Sequence, residues 1–240
     1  VILERDEPAF QLYPNLSQVG HTMGQNLLYI ANGLFPDQTT IKNNPTQNLG
    51  TTPVPGDIWY TNFQDANGKY DDIIDSNDRM YVGNPTDPEI VYGFGPSIQW
   101  KNWDFSFFFQ GVAKTSLLMS SIHPFGNLSP NGLFKFIADD HWTDGTNENI
   151  NAKYPRLSYL PNANNEVAST YWLRNGAFLK LKNAEIGYTL KKCRFYISGN
   201  NLLTFSPFKY WDPEMGNGNG MKYPTQRTFN VGIQVTFNNK

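Results

Sequence analysis

Thr228-Phe229-Asn230-Val231-Gly232-Ile233-Gln234-Val235-Thr236-Phe237 is the stretch that decides the fold. Phe229, Val231, Ile233, Val235 and Phe237 are apolar. Thr228, Asn230, Gly232, Gln234 and Thr236, which alternate with them, are small or polar. Strict period-two alternation marks a strand with one face in an apolar medium and one in a polar one. At about 11 residues the run has the length of a tilted strand crossing a bilayer. The same alternation would also suit a soluble sandwich whose apolar faces pack on each other. The rest of the chain has to separate these two readings.

Four further segments alternate well. Ile90, Tyr92, Phe94, Ile98 and Trp100 share one face, with Val91, Gly93, Gly95, Ser97 and Gln99 on the other. After a short turn at Lys101-Asn102 come Trp103, Phe105, Phe107 and Phe109 against Asp104, Ser106, Phe108 and Gln110. Leu179 and Leu181 open a third strand. Its phase slips by one near Asn183, as at a bulge, and Ala184, Ile186, Tyr188 and Leu190 continue it. Lys191-Lys192 makes a second short turn. Phe195, Ile197 and Gly199 then lead toward Leu203, with Arg194, Tyr196 and Ser198 opposite. Gln25–Ala31 and Asp57–Phe63 are weaker strand candidates.

The connections differ in length. Short turns sit at 101–102 and 191–192, while long segments fill about 114–176 and 205–225. Soluble domains rarely carry a connection of about 60 residues. Outer-membrane barrels do, pairing short periplasmic turns with long outer loops. The spacing of Leu133, Phe134, Ile137 and Trp142 predicts a short helix over Asn131–Trp142 in the first long segment. Trp100, Trp103 and Tyr188 fall near the short turns, where an aromatic girdle belongs.

Composition agrees. The 240 residues are 17% charged and 15% aromatic, with a net charge of −2. That balance favours no nucleic-acid partner. No run of about 18 apolar residues exists, so no helix spans a membrane. The mean hydropathy of −0.50 still allows a membrane barrel, because barrel strands hide half their residues from lipid. Cys193 is alone, so there is no intrachain disulfide and no cysteine metal cluster. The chain opens at Val1 with no leader-like stretch, which reads as a processed chain or a fragment.

Several blocks then read together. They are Gly56-Asp57-Ile58-Trp59-Tyr60; Ile74-Asp75-Ser76-Asn77-Asp78-Arg79 with Val82-Gly83-Asn84-Pro85; Phe107-Phe108-Phe109-Gln110-Gly111; Leu179-Lys180-Leu181-Lys182-Asn183 with Gly187-Tyr188; Ser198-Gly199-Asn200-Asn201-Leu202-Leu203-Thr204; and Asp212-Pro213-Glu214, Tyr223-Pro224 and Arg227-Thr228-Phe229. This order resembles the C-terminal barrel portion of the SusC/RagA-like TonB-dependent transporters of Bacteroidetes. The resemblance implies an all-β fold: an antiparallel transmembrane β-barrel segment, the last third of a barrel of about 22 strands, with long extracellular loops. It implies a plug domain absent from this chain, a SusD-like surface lipoprotein as lid, the TonB complex as energy source, and import of oligosaccharides or peptides. It also implies that Asn230, Gly232, Val235 and Phe237 form the terminal signal read by the barrel-assembly machinery. With roughly seven or eight strands, the chain would need the remainder of the same barrel to close.

The candidate sites are few. Asp65, Asn67, Asp71, Asp75 and Asp78 crowd one loop with Asp72, and oxygen ligands spaced by two suit calcium. Lys69-Tyr70 interrupts the spacing, and a solvated turn rich in Asx hydrogen bonds is the competing reading. Trp142, Tyr154, Tyr159, Tyr171 and Trp172 in the first long segment, and Tyr210 and Trp211 in the last, could stack on sugars or anchor an interface. Singly, each is expected to pack loop on loop. His21, His123 and His141 are scattered, and no hydrolase or phosphate-binding motif is present. Asp139-Asp140 is expected to end the loop helix in solvent. The sequons at Asn15 and Asn127 carry no weight, and Cys193 is expected to be a small apolar filler. The expectation is therefore a non-enzymatic outer-membrane importer segment. A soluble all-β carbohydrate-binding module is the alternative, and an enzyme is a distant third.

Overall fold

The computed structural model describes residues 1–8, 11–122, 133–145 and 148–237. His123, Asn127 and Asn131 lie outside the described residues. The chain divides into two compact units, 1–84 with 118–173, and 85–117 with 174–240.

The second unit is the predicted wall. β7 (Ile90–Phe94) and β8 (Ser97–Trp100) lie end to end beside β9 (Trp103–Ala113). Then come β12 (Phe178–Leu190), β13 (Cys193–Phe205) and β14 (Thr228–Val235), each antiparallel to the one before. The sheet does not close on itself; β14 forms one edge and β7 with β8 the other. All five alternating segments of the sequence are in it. The phase slip appears where expected, between Leu181 and Asn183. There Asn201, in the left-handed region at φ 54, adds the extra length to β13. Two-residue turns join β8 to β9 and β12 to β13. Lys101 (φ 53) and Lys191 (φ 55) take their first positions, the positive-φ geometry that matches strand twist.

The first unit is built from short elements. β1 (Asn26–Tyr29) pairs with β6 (Arg79–Val82), β2 (Ala31–Leu34) with β4 (Ile58–Tyr60), and β3 (Thr46–Gln47) runs parallel to β5 (Ile73–Ile74). α1 (Gln38–Lys42) is capped by Asp37, whose carboxylate accepts from the Thr40 N–H at 2.7 Å. Leu28, Phe35, Ile58, Ile74, Ile137 and Tyr154 are among its buried core. β10 (Ser116–Leu118) and β11 (Leu173–Asn175) form a last two-stranded pair.

Two expectations need correction. The weak candidates Gln25–Ala31 and Asp57–Phe63 do contain strands, β1 with the start of β2, and β4. β1 pairs with β6 and β2 with β4, and none of them with the wall. The wall sheet therefore has six strands, with β7 and β8 sharing one edge, not seven or eight. The predicted helix shrinks to α2 (Lys135–Ala138). His141 leaves it to form a bridge with Tyr154, and the Trp142 N–H bonds the Tyr154 carbonyl at 2.9 Å. α3 (Ala163–Glu166) was not foreseen.

Candidate functional site

Register places every wall residue on a face. Ile98, Phe105, Ile186, Ile197 and Val231 form one outer row. Trp100, Trp103, Tyr188, Phe195 and Ile233 form the next, toward the turns. These side chains have no protein over them: Val231 is 81% exposed and Ile197 54%. An apolar patch this continuous is not tolerated against water. It is the surface that an outer-membrane strand turns to hydrocarbon. Cys193, opposite Leu190 and Val235, sits on this same face.

The inner face is polar. Ser97, Ser106, Glu185, Ser198 and Asn230 form one row, and Gln99, Asp104, Gly187, Tyr196 and Gly232 the next. Arg194 ties two strands across it. Its Nε donates to Asp104 Oδ1 at 3.0 Å, and its Nη2 to Glu185 Oε1 at 2.6 Å and to Asp104 Oδ2. The guanidinium lies 5.2 Å from the Tyr196 ring. Gly187 makes this possible, because a Cβ there would stand 2.6 Å from the Asp104 carboxylate.

A second charged group holds the last long loop to β12. Lys180 is 1% exposed, and its Nζ donates to Asp212 Oδ2 at 2.6 Å and to Glu214 Oε2. Lys182 reaches Glu214 Oε1 at 2.6 Å. Burial raises both carboxyl pKa values, but the hydrogen bonds and charge of Lys180, with Lys182 at Glu214, outweigh it. Both carboxyls are held below their ordinary range. Neither this group nor the Arg194 cluster was singled out from the sequence. Asp212-Pro213-Glu214 was visible as a block, but nothing local pointed to a partner about 30 residues away.

In the first unit, fully buried Asp57 accepts from Asn162 Nδ2 at 2.8 Å, Asn165 Nδ2 at 2.9 Å and the Val54 N–H at 2.9 Å. Arg156 Nε sits 2.8 Å from it. Asn164 donates to the Ile58 carbonyl, and Gln47 donates to Asn164. The amides of Gln47, Asn164 and Asn165 and the Asn162 Nδ2 all have partners here, so the network fixes loop against loop.

The sequence-predicted residues are placed as follows. Trp142, Tyr154 and Trp172 are buried, with Tyr154 ringed by Phe136 and Trp172. Tyr171 donates to the Lys153 carbonyl at 2.6 Å. Tyr210 and Trp211 are half-buried against Phe208, and Tyr159 is 86% exposed. In the acidic loop, Asp65 accepts from the Asn67 and Lys69 N–H groups, Asp71 from Ile73 and Asp75 from Asn77. Asp78 accepts from Phe63 and Asp75. Each carboxylate thus closes a turn. Backbone bonding from Lys69 lowers the Asp65 pKa, and burial raises that of Asp78. Among the described residues, no three His, Cys, Asp or Glu side chains gather as a metal site would require. His21 bonds Gln25, and His141 meets the Ala138 carbonyl. Of the residues expected to form a terminal signal, Asn230 and Gly232 face inward and Val235 outward. Phe237 lies beyond β14 and is exposed.

No family model matches the chain. Curated proteins do. TonB-dependent receptor P26 of Formosa agariphila is 31% identical over 201 residues, 73% of this chain and 19% of that protein. TonB-dependent receptor P3 of the same organism is 28% identical over 72% of this chain and 18% of its own length. TonB-dependent receptor SusC of Bacteroides thetaiotaomicron is 26% identical over 73% of this chain and 17% of its own length. The chain thus spans about a fifth of the length of the curated relatives it matches. Among solved structures, the RagAB peptide importer in its open-open state superposes with a TM-score of 0.63 at 20% identity, covering 91% of this chain and 23% of that one. The RagAB peptide transporter gives 0.63 at 20% identity over 89% of this chain and 22% of that one. With its apolar outer rows, its charged inner rows and these relatives, the chain belongs to the SusC/RagA-like TonB-dependent receptors, and its sheet is a piece of their outer-membrane β-barrel.

Proposed function

We propose that this chain serves as part of the wall and outer loops of a TonB-dependent importer of oligosaccharides or peptides. One observation carries the reading above all: a six-stranded sheet with an uncovered apolar face and a charged opposite face. Such a sheet is stable only with lipid on one side and a wet, filled interior on the other. The missing strands, the plug and the TonB contact come from the rest of the receptor. The loops meet a SusD-like lipoprotein. Tyr159, Tyr210 and Trp211 have surface to offer it or the cargo, while Trp142, Tyr154 and Trp172 hold the loop core. The names of the relatives, receptors and a peptide importer, support import over catalysis.

The test is uptake. Cells lacking the receptor gene should fail to accumulate a labelled oligosaccharide or peptide, and the restored gene should rescue them. Rescue should vanish when TonB is inactivated. Accumulation unchanged by both deletions, for every cargo of either class, would sink the proposal.

A further inference from the structure

A cavity of about 340 Å³ opens in the first unit, between the turn that precedes β1 and the side chain of Tyr81 on β6. No carboxylate lines it. The backbone around it is already bonded. The Ile2 N–H donates to the His21 carbonyl, the Gly20 N–H to that of Ile2, the His21 N–H to that of Gln18 and the Gln25 N–H to that of Thr22, at 2.8 to 3.1 Å. What remains for a ligand is side chains. Gln25 Nε2 donates to the Gly83 carbonyl at 2.7 Å, so its Oε1 accepts from His21 Nδ1 at 3.1 Å and from the Thr22 N–H at 3.3 Å. Gln18 Nε2 donates to the Tyr81 hydroxyl, which keeps its own proton to give. Among the described residues, His21 Nε2, the Thr22 hydroxyl and Gln18 Oε1 have no partner. The His21 and Tyr81 rings stand 5.3 Å apart at 41° and form an aromatic wall. Arg5 lines the cavity and is exposed. It makes no hydrogen bond or ion pair among the described residues, and the Glu7 carboxylate beyond it is taken up by the Ser17 hydroxyl at 2.8 Å and the Gln18 N–H at 2.7 Å.

A sugar that carries a carboxylate matches this set. A pyranose ring needs aromatic surface for its C–H face, and both donors and acceptors for its hydroxyls. The two rings supply the first, and Tyr81, Thr22, Gln18 and His21 the second. One unneutralised guanidinium suits one carboxylate, which it can grip with two parallel hydrogen bonds. An extended peptide instead draws on free strand-edge N–H and C=O groups, and here those are spent. The volume lies at the small end of ligand pockets, about 300–1,000 Å³, which suits one residue of a longer glycan. We propose that this cavity binds a hexuronate residue of an acidic oligosaccharide, its carboxylate on Arg5 and its hydroxyls on Tyr81, Thr22, Gln18 and His21. The inference rests on the importer reading for the source of the sugar, and it narrows the cargo to acidic glycans.

The intact receptor, purified in detergent, would be titrated calorimetrically with the galacturonic acid trimer, with the methyl ester of that trimer and with trialanine. Wild type should bind the acid more tightly than the ester. Arg5→Gln should weaken the acid about ten- to a hundredfold, the range of a charged hydrogen bond, and bring it level with the ester. Tyr81→Phe keeps the ring and removes the donor; it should weaken acid and ester alike, about two- to tenfold, and leave the preference. Trialanine should show no dependence on Arg5. Equal affinity of wild type for acid and ester, a preference that survives Arg5→Gln, unchanged affinities in Tyr81→Phe, or trialanine losing affinity in Arg5→Gln as the acid does would each overturn the proposal. Both substitutions are conservative at positions open to solvent, and heat-modifiable migration on gels checks that each barrel is folded. A trimer bound as described, yet not accumulated by cells with active TonB, would count against the importer reading and not against this site.

Discussion

Ile197→Arg and Ser198→Arg place one guanidinium on adjacent residues of β13, one on each face. Ile197 stands between Ile186 and Val231 with more than half its surface open. It lies five residues from Lys192, about 17 Å along the strand and about 12 Å deep at a 45° tilt. That is near the bilayer midplane, where an arginine on the lipid face costs about 2–4 kcal/mol. Ser198 stands between Glu185 and Asn230 on the inner face. An arginine there meets a carboxylate already shared with Arg194, so its effect should stay within about 1 kcal/mol. The assay is a denaturant titration of the intact receptor refolded into vesicles, followed by tryptophan emission. Ile197→Arg should lower stability by at least about 1 kcal/mol more than Ser198→Arg. Equal losses, or a larger loss at Ser198, would refute the assignment of faces on which the membrane reading stands.

Phe237→Ala in the complete protein should lower its abundance in outer-membrane fractions if the exposed terminal aromatic is read during assembly; normal abundance would remove that role. Calcium should give heat on titration into the intact receptor and none into an Asp71→Ala/Asp75→Ala double mutant. Identical traces would leave those carboxylates as the turn-closing groups seen here. Asp212 and Glu214 have depressed folded pKa values, so the stability they lend is present above their unfolded values of about 4 and is lost as pH falls below them. Hydrogen exchange across 205–227 should therefore quicken on acidification below about pH 4, and Lys180→Met should remove that dependence. A pH profile the same in wild type and Lys180→Met would rule out the clamp.

The wall was legible because its signal is local. Each strand carries its own alternation, and even the slip near Asn183 shows in the order of residues. The bulge needs only Leu181, Lys182 and Asn183 to be read in sequence. The loop unit was not legible, for the opposite reason. Its strands are two to four residues long, too short for a period to show. Its core polar group joins Gln47 and Asp57 to Asn162, Asn164 and Asn165 across more than 100 positions. Nothing in the run Asn162–Glu166 distinguishes a buried amide from a solvated one. Burial of the loop aromatics was illegible on the same ground. Trp142 and Tyr159 look alike in sequence, yet one is buried and the other almost fully exposed.

The inner face shows how a polar row can be built without filling the space beside it. The Tyr196 ring lies over Gly232 on the next strand, where a Cβ would come within 2.6 Å of it. Arg194 lies over Gly187 in the same manner, held there by Asp104 and Glu185. Each long side chain thus rests flat on a neighbouring strand instead of projecting inward. A large residue is matched by a glycine one strand away, and the pair covers backbone that would otherwise face the interior. This gives the glycine of the terminal strand a structural reason: Gly232 is small because Tyr196 occupies its place. A β-branched residue at 232 would push the ring off the wall. It would narrow the interior while leaving the lipid-facing alternation of Phe229, Val231 and Ile233 intact. The alternation that announces a membrane strand therefore records only its outer half. The inner half is written in pairs between strands, which no single segment displays.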